Sequence, residues 1–196
     1  MTENATLPKT GIIGHLSASV RILAVSMFIC CGAYSSLLLI AGKTLFPAAS
    51  SGSLLSVNGR VVGSALIAQK FSSPGYFRPR PSAVDYNGAS AGGSNLSPAS
   101  AALRKQAMET LAALGATPAN PAPADLVAAS GSGLDPDITI EAARFQVPRI
   151  ARARKVRPEK VEAVLDAQSV SKSIFSGSEG LVNVLRLNIA LDQSCR

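Results

Sequence analysis

A mixed α+β domain behind a single N-terminal transmembrane helix is the fold class that this sequence predicts. Three observations lead to it: a long uncharged apolar run near the N-terminus, an Asn-Gly pair between two short apolar runs, and later segments whose apolar residues recur at helical spacing or alternate. A 196-residue chain leaves about 150 residues beyond the apolar run, enough for a core of its own.

The apolar run comes first. From Ile22 to Gly42 stand 21 consecutive uncharged residues, which as a helix span about 32 Å, close to the roughly 30 Å hydrocarbon core. The run exceeds the 7 to 15 residues usual for a signal-peptide core, so it reads as an uncleaved anchor, although Ala48-Ala49-Ser50 resembles a cleavage site. The predicted organisation is a short cytoplasmic N-terminus over residues 1–15, a single membrane helix over 16–43 and an extracytoplasmic domain over 44–196. Lys9 and Arg21 make the short N-terminal flank basic, whereas the other flank opens with Lys43 and a long translocatable domain. This predicts a single-pass protein of the inner (plasma) membrane with a periplasmic C-terminal domain. Gly32 and Ser36 form a small-xxx-small pair suited to another helix, or simply face lipid.

Beyond the anchor, Asn58-Gly59 inside Leu54 to Phe71 predicts a two-stranded hairpin. Ser97-Pro98 reads as an N-cap and first helical position; Leu103, Ala107, Leu111 and Leu114 supply the apolar stripe, and Gly115 the stop. Asp125 to Ala129 reads as a short buried strand, followed by a Gly/Ser/Asp loop through Asp137. Thr139 is placed to cap a helix from Ile140, which Pro148 should end or kink near Val147. Arg157-Pro158-Glu159 starts another helix, with Val161, Val164, Leu165 and Gln168 on one face. Leu181, Asn183, Leu185, Leu187, Ile189 and Leu191 alternate with their neighbours and predict a closing strand.

Between the hairpin and the first exterior helix lies Gly75 to Leu96, with two prolines, four glycines, three aromatics and two arginines in 22 residues. It has no period, yet proline and glycine shape a defined path, and Tyr, Phe and Arg are the residues that anchor interfaces. An ordered loop without a partner and a contact surface are both open on these residues.

The chemistry is mostly a matter of exclusion. His15, the only histidine, precedes the membrane helix, so no Ser/His/Asp site can include Ser82 or Ser132 in this topology. A Ser/Lys pair stays possible without a Ser-x-x-Lys signature to support it. Asp135 and Asp137 are too few for a calcium loop, and Ala91-Gly92-Gly93-Ser94 lacks the lysine of a phosphate loop. No metal site and no catalytic residue are predicted. Cys30 and Cys31 are adjacent and cannot pair, and Cys195, next to the C-terminus, reads as an exposed thiol. The cluster Arg144, Arg149, Arg152, Arg154, Lys155, Arg157 and Lys160 carries much of the net charge of +7 and reads as a solvated helix face or a patch for a partner.

Six ordered motifs carry a resemblance. They are Gly63-Ser64-Ala65-Leu66-Ile67 with Gln69 and Phe71; Gly75-Tyr76-Phe77 with Arg80-Pro81-Ser82-Ala83; and Tyr86-Asn87 with Ser90 to Leu96. Asp125-Leu126-Val127 with Ser130 to Pro136, Gln146 to Ala151 with Ala153-Arg154, and Val182 to Asp192 complete the set. Together they resemble the KdpC family, small subunits of a potassium-transporting P-type ATPase. Pro79 and Ala68 depart from glycines usual in that family.

The resemblance implies a noncatalytic subunit with three partners: a channel-like potassium-translocating subunit, an ATP-hydrolysing P-type subunit and a very small helical one. It implies no nucleic acid, and ATP and potassium would be handled by the complex. The family is described as a catalytic chaperone raising the ATPase subunit's affinity for ATP, with a glutamine, here Gln146, touching nucleotide. An external domain could not place Gln146 beside cytoplasmic ATP, so the favoured expectation is assembly and cover of the pump's external side. Tyr76, Phe77, Arg80, Ser82 and Asn95 in the loop, with Gly32 and Ser36 in the membrane helix, are the expected partner contacts. A tethered enzyme with a Ser/Lys pair is the remaining expectation.

Overall fold

Apolar residues without a charged neighbour have only their own backbone to satisfy their polar groups in a membrane, and a helix does so. In the computed structural model, which describes residues 11–169 and 180–195, one apolar helix runs through Ile12–Leu45. Its parts are α1 (Ile12–Met27), a π-helical stretch (Phe28–Tyr34) and α2 (Ser35–Leu45), with a short α3 (Pro47–Ser50) behind. The helix extends past both ends of the apolar run and takes in Arg21, whose guanidinium turns back to Ser17. From the first residue of α2, the Ser35 hydroxyl donates back into the π stretch, to the Cys30 carbonyl at 3.3 Å. There a turn holds more residues, so the four-residue separation of Gly32 and Ser36 falls short of a full turn.

The chain divides into two compact units at Ser51/Gly52. The second opens with an antiparallel hairpin, β1 (Leu54–Val57) and β2 (Arg60–Ser64), turning on Asn58 and Gly59 at φ 51° and 76°. Positive φ at both positions is what a twist-matched two-residue turn requires. The irregular stretch from Ala65 follows, up to α4 (Ala101–Leu114). This helix starts after Ser100, three residues later than predicted and without a side-chain cap, because Ser97 and Pro98 form a turn closed by the Ser100 N–H on the Ser97 carbonyl. The stripe of Leu103, Ala107, Leu111 and Leu114 is only half-buried. Gly115 ends α4 as expected, with Ala116 N–H bonded to the Leu111 carbonyl.

The core forms where α5 (Ile140–Arg154), α6 (Pro158–Gln168) and α7 (Val184–Ser194) pack around a two-stranded sheet of β3 (Asp137–Thr139) and β4 (Leu181–Asn183). Ile138 faces Val182 in the antiparallel register, and both are buried. The Thr139 hydroxyl caps α5 by accepting from Ala142 N–H, as predicted.

Three predicted elements differ. Asp125 to Ala129 is not a strand but continues from a 3-10 turn (Ala124–Leu126): the Asp125 carboxylate accepts from Thr139 N–H while Leu126 enters the core. Pro148 does not end α5. It is exposed, whereas Ala143, Val147, Ile150 and Ala151 are buried, and their burial outweighs the cost of an interior proline, about 3 kcal/mol. The closing strand stops at Asn183, whose side chain accepts from Arg186 N–H and starts α7. Val184, Leu187, Asn188 and Leu191 then share a buried face at helical spacing. Gln168, expected on the inner face of α6, is exposed, and Cys195, expected to be accessible, is buried with a free thiol.

Candidate functional site

Helical spacing places Gln146 and Arg149 on one face of α5, and Asn188 and Asp192 on one face of α7. The segment Gly75 to Arg80 meets these side chains, and each of its buried peptide groups needs a partner. Asn188 serves both polar groups of Phe77: its Oδ1 accepts from the Phe77 N–H at 2.8 Å and its Nδ2 donates to the Phe77 carbonyl at 2.9 Å. Gln146 does the same for Arg78, at 2.8 and 3.1 Å. Two side-chain amides thus stand where a neighbouring strand would stand, and the Phe77 ring enters the core with no exposed surface.

Two arginines of the basic cluster complete the clamp. Arg149 donates to the carbonyls of Pro74 and Tyr76 and to Gln146 Oε1. Arg154 donates to the Gly75 carbonyl at 2.7 Å, the Cys195 carbonyl at 3.1 Å and Asp192 Oδ1 at 2.6 Å. The Arg154 guanidinium also lies 4.9 Å from the centre of the Tyr76 ring, while the Tyr76 hydroxyl donates to Asp192 Oδ2. Burial and the Asp192 hydrogen bond push the Tyr76 phenol above its ordinary value. Burial, then the nearby Arg78 charge, lowers Arg149 to about 10, which leaves it charged at neutral pH.

Further along, Arg80 pairs with Asp135 at 3.2 Å, and the Tyr86 hydroxyl donates to the Arg80 carbonyl. Ser82 Oγ accepts from Val84 and Tyr86 N–H groups, so this hydroxyl shapes a turn. The two glycine-serine loops interlock: Gly92 N–H donates to the Ser132 carbonyl at 2.7 Å, and a Cβ on Gly133 would stand 2.7 Å from the Gly92 carbonyl oxygen. Only glycine fits there. Asn95 is exposed in a left-handed conformation at φ 52°.

The predicted site residues therefore separate. Tyr76, Phe77, Arg80 and Ser82 form one constellation inside the domain, Asn95 lies on its surface, and Gly32 and Ser36 belong to the apolar helix. Gln146 joins the constellation, buried with its amide engaged at both ends. It also borders a cavity of about 360 Å³ lined by Arg78, Pro81, Tyr86 and Glu109, and the buried Nε of Arg78 has no hydrogen-bond partner. Among the described residues, no group of three or more His, Cys, Asp or Glu side chains is placed to hold a metal ion. Lys70 is ion-paired with Asp85, and Ser132 Oγ accepts from Leu134 N–H.

Sequence reasoning missed the partners Asn188, Arg149, Arg154, Asp192 and Asp135. A signal for the first did exist: Val184, Leu187, Asn188 and Leu191 fit the helical period as well as the alternation that was read as a strand.

The family model described as "K+-transporting ATPase, c chain" matches residues 16–193, nearly the whole chain. The chain belongs to the KdpC family. Among curated relatives, the potassium-transporting ATPase KdpC subunit of Parvibaculum lavamentivorans is 48% identical over 177 residues, covering 90% of this chain and 95% of that protein. The KdpC subunit of Methylorubrum populi is 43% identical over 200 residues, covering 94% and 100%, and that of Burkholderia orbicola 45% identical, covering 82% and 86%. The clamp on Gly75 to Arg80 is thus part of a KdpC domain.

Proposed function

We propose that this chain is a noncatalytic, membrane-anchored subunit of a potassium-transporting ATPase, which stabilises the assembled pump and covers its external side. The observation that carries the reading is the family match over residues 16–193, on a chain with one apolar helix followed by a separate α+β unit. The basic flank of Lys9 and Arg21 favours a cytoplasmic N-terminus and an external domain. Its partners are then the potassium-translocating subunit, the ATP-hydrolysing subunit and the small helical one, with ATP and potassium handled by the complex.

The clamp suits a scaffold. Tyr76, Phe77, Arg80 and Ser82 act through the shape of the domain, and Asn95 with the neighbouring exposed loop offers surface to a partner. The engaged amide of Gln146 supports a bracing role over direct nucleotide contact. A chain truncated after Ser51 should lose high-affinity potassium uptake and co-purification of the pump. Normal uptake by the truncated chain would refute the reading. An impermeant thiol reagent should label Ala99→Cys in intact cells, whereas protection there would turn the choice towards the nucleotide chaperone. Ala99 is exposed, unlike Cys195.

A further inference from the structure

Exposed aliphatic side chains in the second unit are not spread evenly. Leu54, Val61, Val62 and Leu66 are 55%, 61%, 38% and 61% exposed, and they fall within 13 consecutive residues. Among the described residues, the remaining large hydrophobics exposed in that unit, Leu96, Met108 and Leu181, are separate in sequence. Register places Val61 opposite Ser56, which shares a strand face with Leu54, so Leu54 and Val61 lie on the same outward face of the hairpin.

This hairpin is tied to the rest of the unit at its root and on one side of β2, where Gln69 Nε2 donates to the Val62 carbonyl at 3.1 Å and a Cβ on Gly63 would stand 3.0 Å from Leu185 Cδ2. Ala65 N–H donates to the Ser53 carbonyl, the Ser64 hydroxyl to the Gly52 carbonyl, and Asn183 Nδ2 to the Ala65 carbonyl. Leu55 is half-buried and borders a cleft with Ile189 and Ala190 of α7, whereas Leu54 and Val61 stay exposed. A lone two-stranded hairpin is marginal in water, and gains its stability from a further strand or a packed surface. Apolar residues grouped on such an element mark a surface that something covers.

We propose that the β1–β2 hairpin is the surface by which the external domain docks on the potassium-translocating subunit. This deepens the subunit reading above and rests on it. Only residues 46–53 separate the apolar helix from β1, a reach of at most about 30 Å, so the hairpin cannot travel far from the membrane face. The occupant is protein rather than lipid for two reasons. The outer strand edges carry backbone N–H and C=O groups that acyl chains cannot bond. Residues 54–66 also contain no Trp or Tyr, the side chains that seat an element at headgroup level. The matching partner surface is an exposed loop or strand edge with aliphatic side chains and free backbone groups.

The test uses the full chain in the assembled pump in native membranes, with the photoreactive residue p-benzoylphenylalanine in place of Val61. Irradiation should yield an adduct with the potassium-translocating subunit. An adduct with another subunit, an adduct with lipid alone, or no adduct overturns the proposal. In parallel, Val61→Asp with Leu66→Asp should cut recovery of the partner subunits on the tagged chain by about tenfold, equal to about 1.4 kcal/mol, with the melting of the chain unchanged. Full recovery would count against the hairpin. If these arms fail while truncation after Ser51 still abolishes uptake, the subunit reading stands and only the docking surface falls. If truncation leaves uptake normal, the subunit reading itself falls.

Discussion

The hairpin of β1 and β2 and the segment from Gly75 to Arg80 invert the usual relation between regularity and burial. The hairpin has a favoured turn and a paired ladder broken by one bulge at Val62, yet it leaves Leu54 and Val61 in solvent. Gly75 to Arg80 has no period, yet its Phe77 is among the most buried residues of the domain. Backbone satisfaction and side-chain burial are separate requirements. A strand meets the first by itself and can wait for a partner to meet the second. An aperiodic segment can be buried only if other side chains supply its hydrogen bonds, and here Asn188 and Gln146 do so.

Phe77→Ala breaks the comparison most strongly. Removing a fully buried ring should destabilise the domain by about 3–5 kcal/mol, measured by urea unfolding of the full chain in detergent with circular dichroism. A loss under about 1 kcal/mol would mean that the segment is not built into the core. Asn188→Ala comes next, because it strands the Phe77 N–H and carbonyl together. A loss of about 2–3 kcal/mol is expected in the same assay, and equality with wild type would show that water replaces the amide. By contrast, Val61→Asp, one half of the docking variant, should stay within about 0.5 kcal/mol of wild type, since the free hairpin hides little there.

The smallest effect is a pH dependence. Burial, with Asp85 and Asp192 nearby, favours the neutral phenols of Tyr86 and Tyr76, so both have raised folded-state values. Their contribution is fully present below the ordinary value near 10 and is lost as pH rises through the raised values. Arg149 works in the opposite direction, because its lowered value, about 10, lets alkali relieve a buried charge. Tyr86→Phe should therefore flatten the fall in stability above pH 10 and leave the neutral-pH dependence unchanged. An unaltered alkaline slope would place the Tyr86 hydroxyl in water.

Much of the fold was legible because its signals were local. Asn58-Gly59, Thr139, Pro158 and Gly115 act within a few residues, through turn geometry, capping, a preset φ and a left-handed C-terminus. Where two local signals competed, burial decided. Residues 184–191 suit both periods, and the helix won because it brings Val184, Leu187, Asn188 and Leu191 onto one buried face. Pro148 is tolerated because it lies on the exposed side of a helix fixed by its other side. The basic cluster was read as a solvated face or a patch for a partner. Arg149 and Arg154 instead turn to carbonyls more than 70 residues away in sequence, which no local pattern encodes.

The sequence by itself determined the membrane helix, the family, the hairpin turn, the caps and the membership of the Gly75 to Leu96 motif, since each depends on composition or on neighbours within a few positions. Only the tertiary structure decided what that motif does. Its aromatics and arginines had looked like an offered surface, but Phe77, Tyr76 and Arg80 are turned inward and held by Asn188, Asp192, Arg154 and Asp135, while the regular hairpin is the part left uncovered. The reason is physical: a buried backbone must find hydrogen bonds wherever the fold can supply them, and those partners come from helices far along the chain.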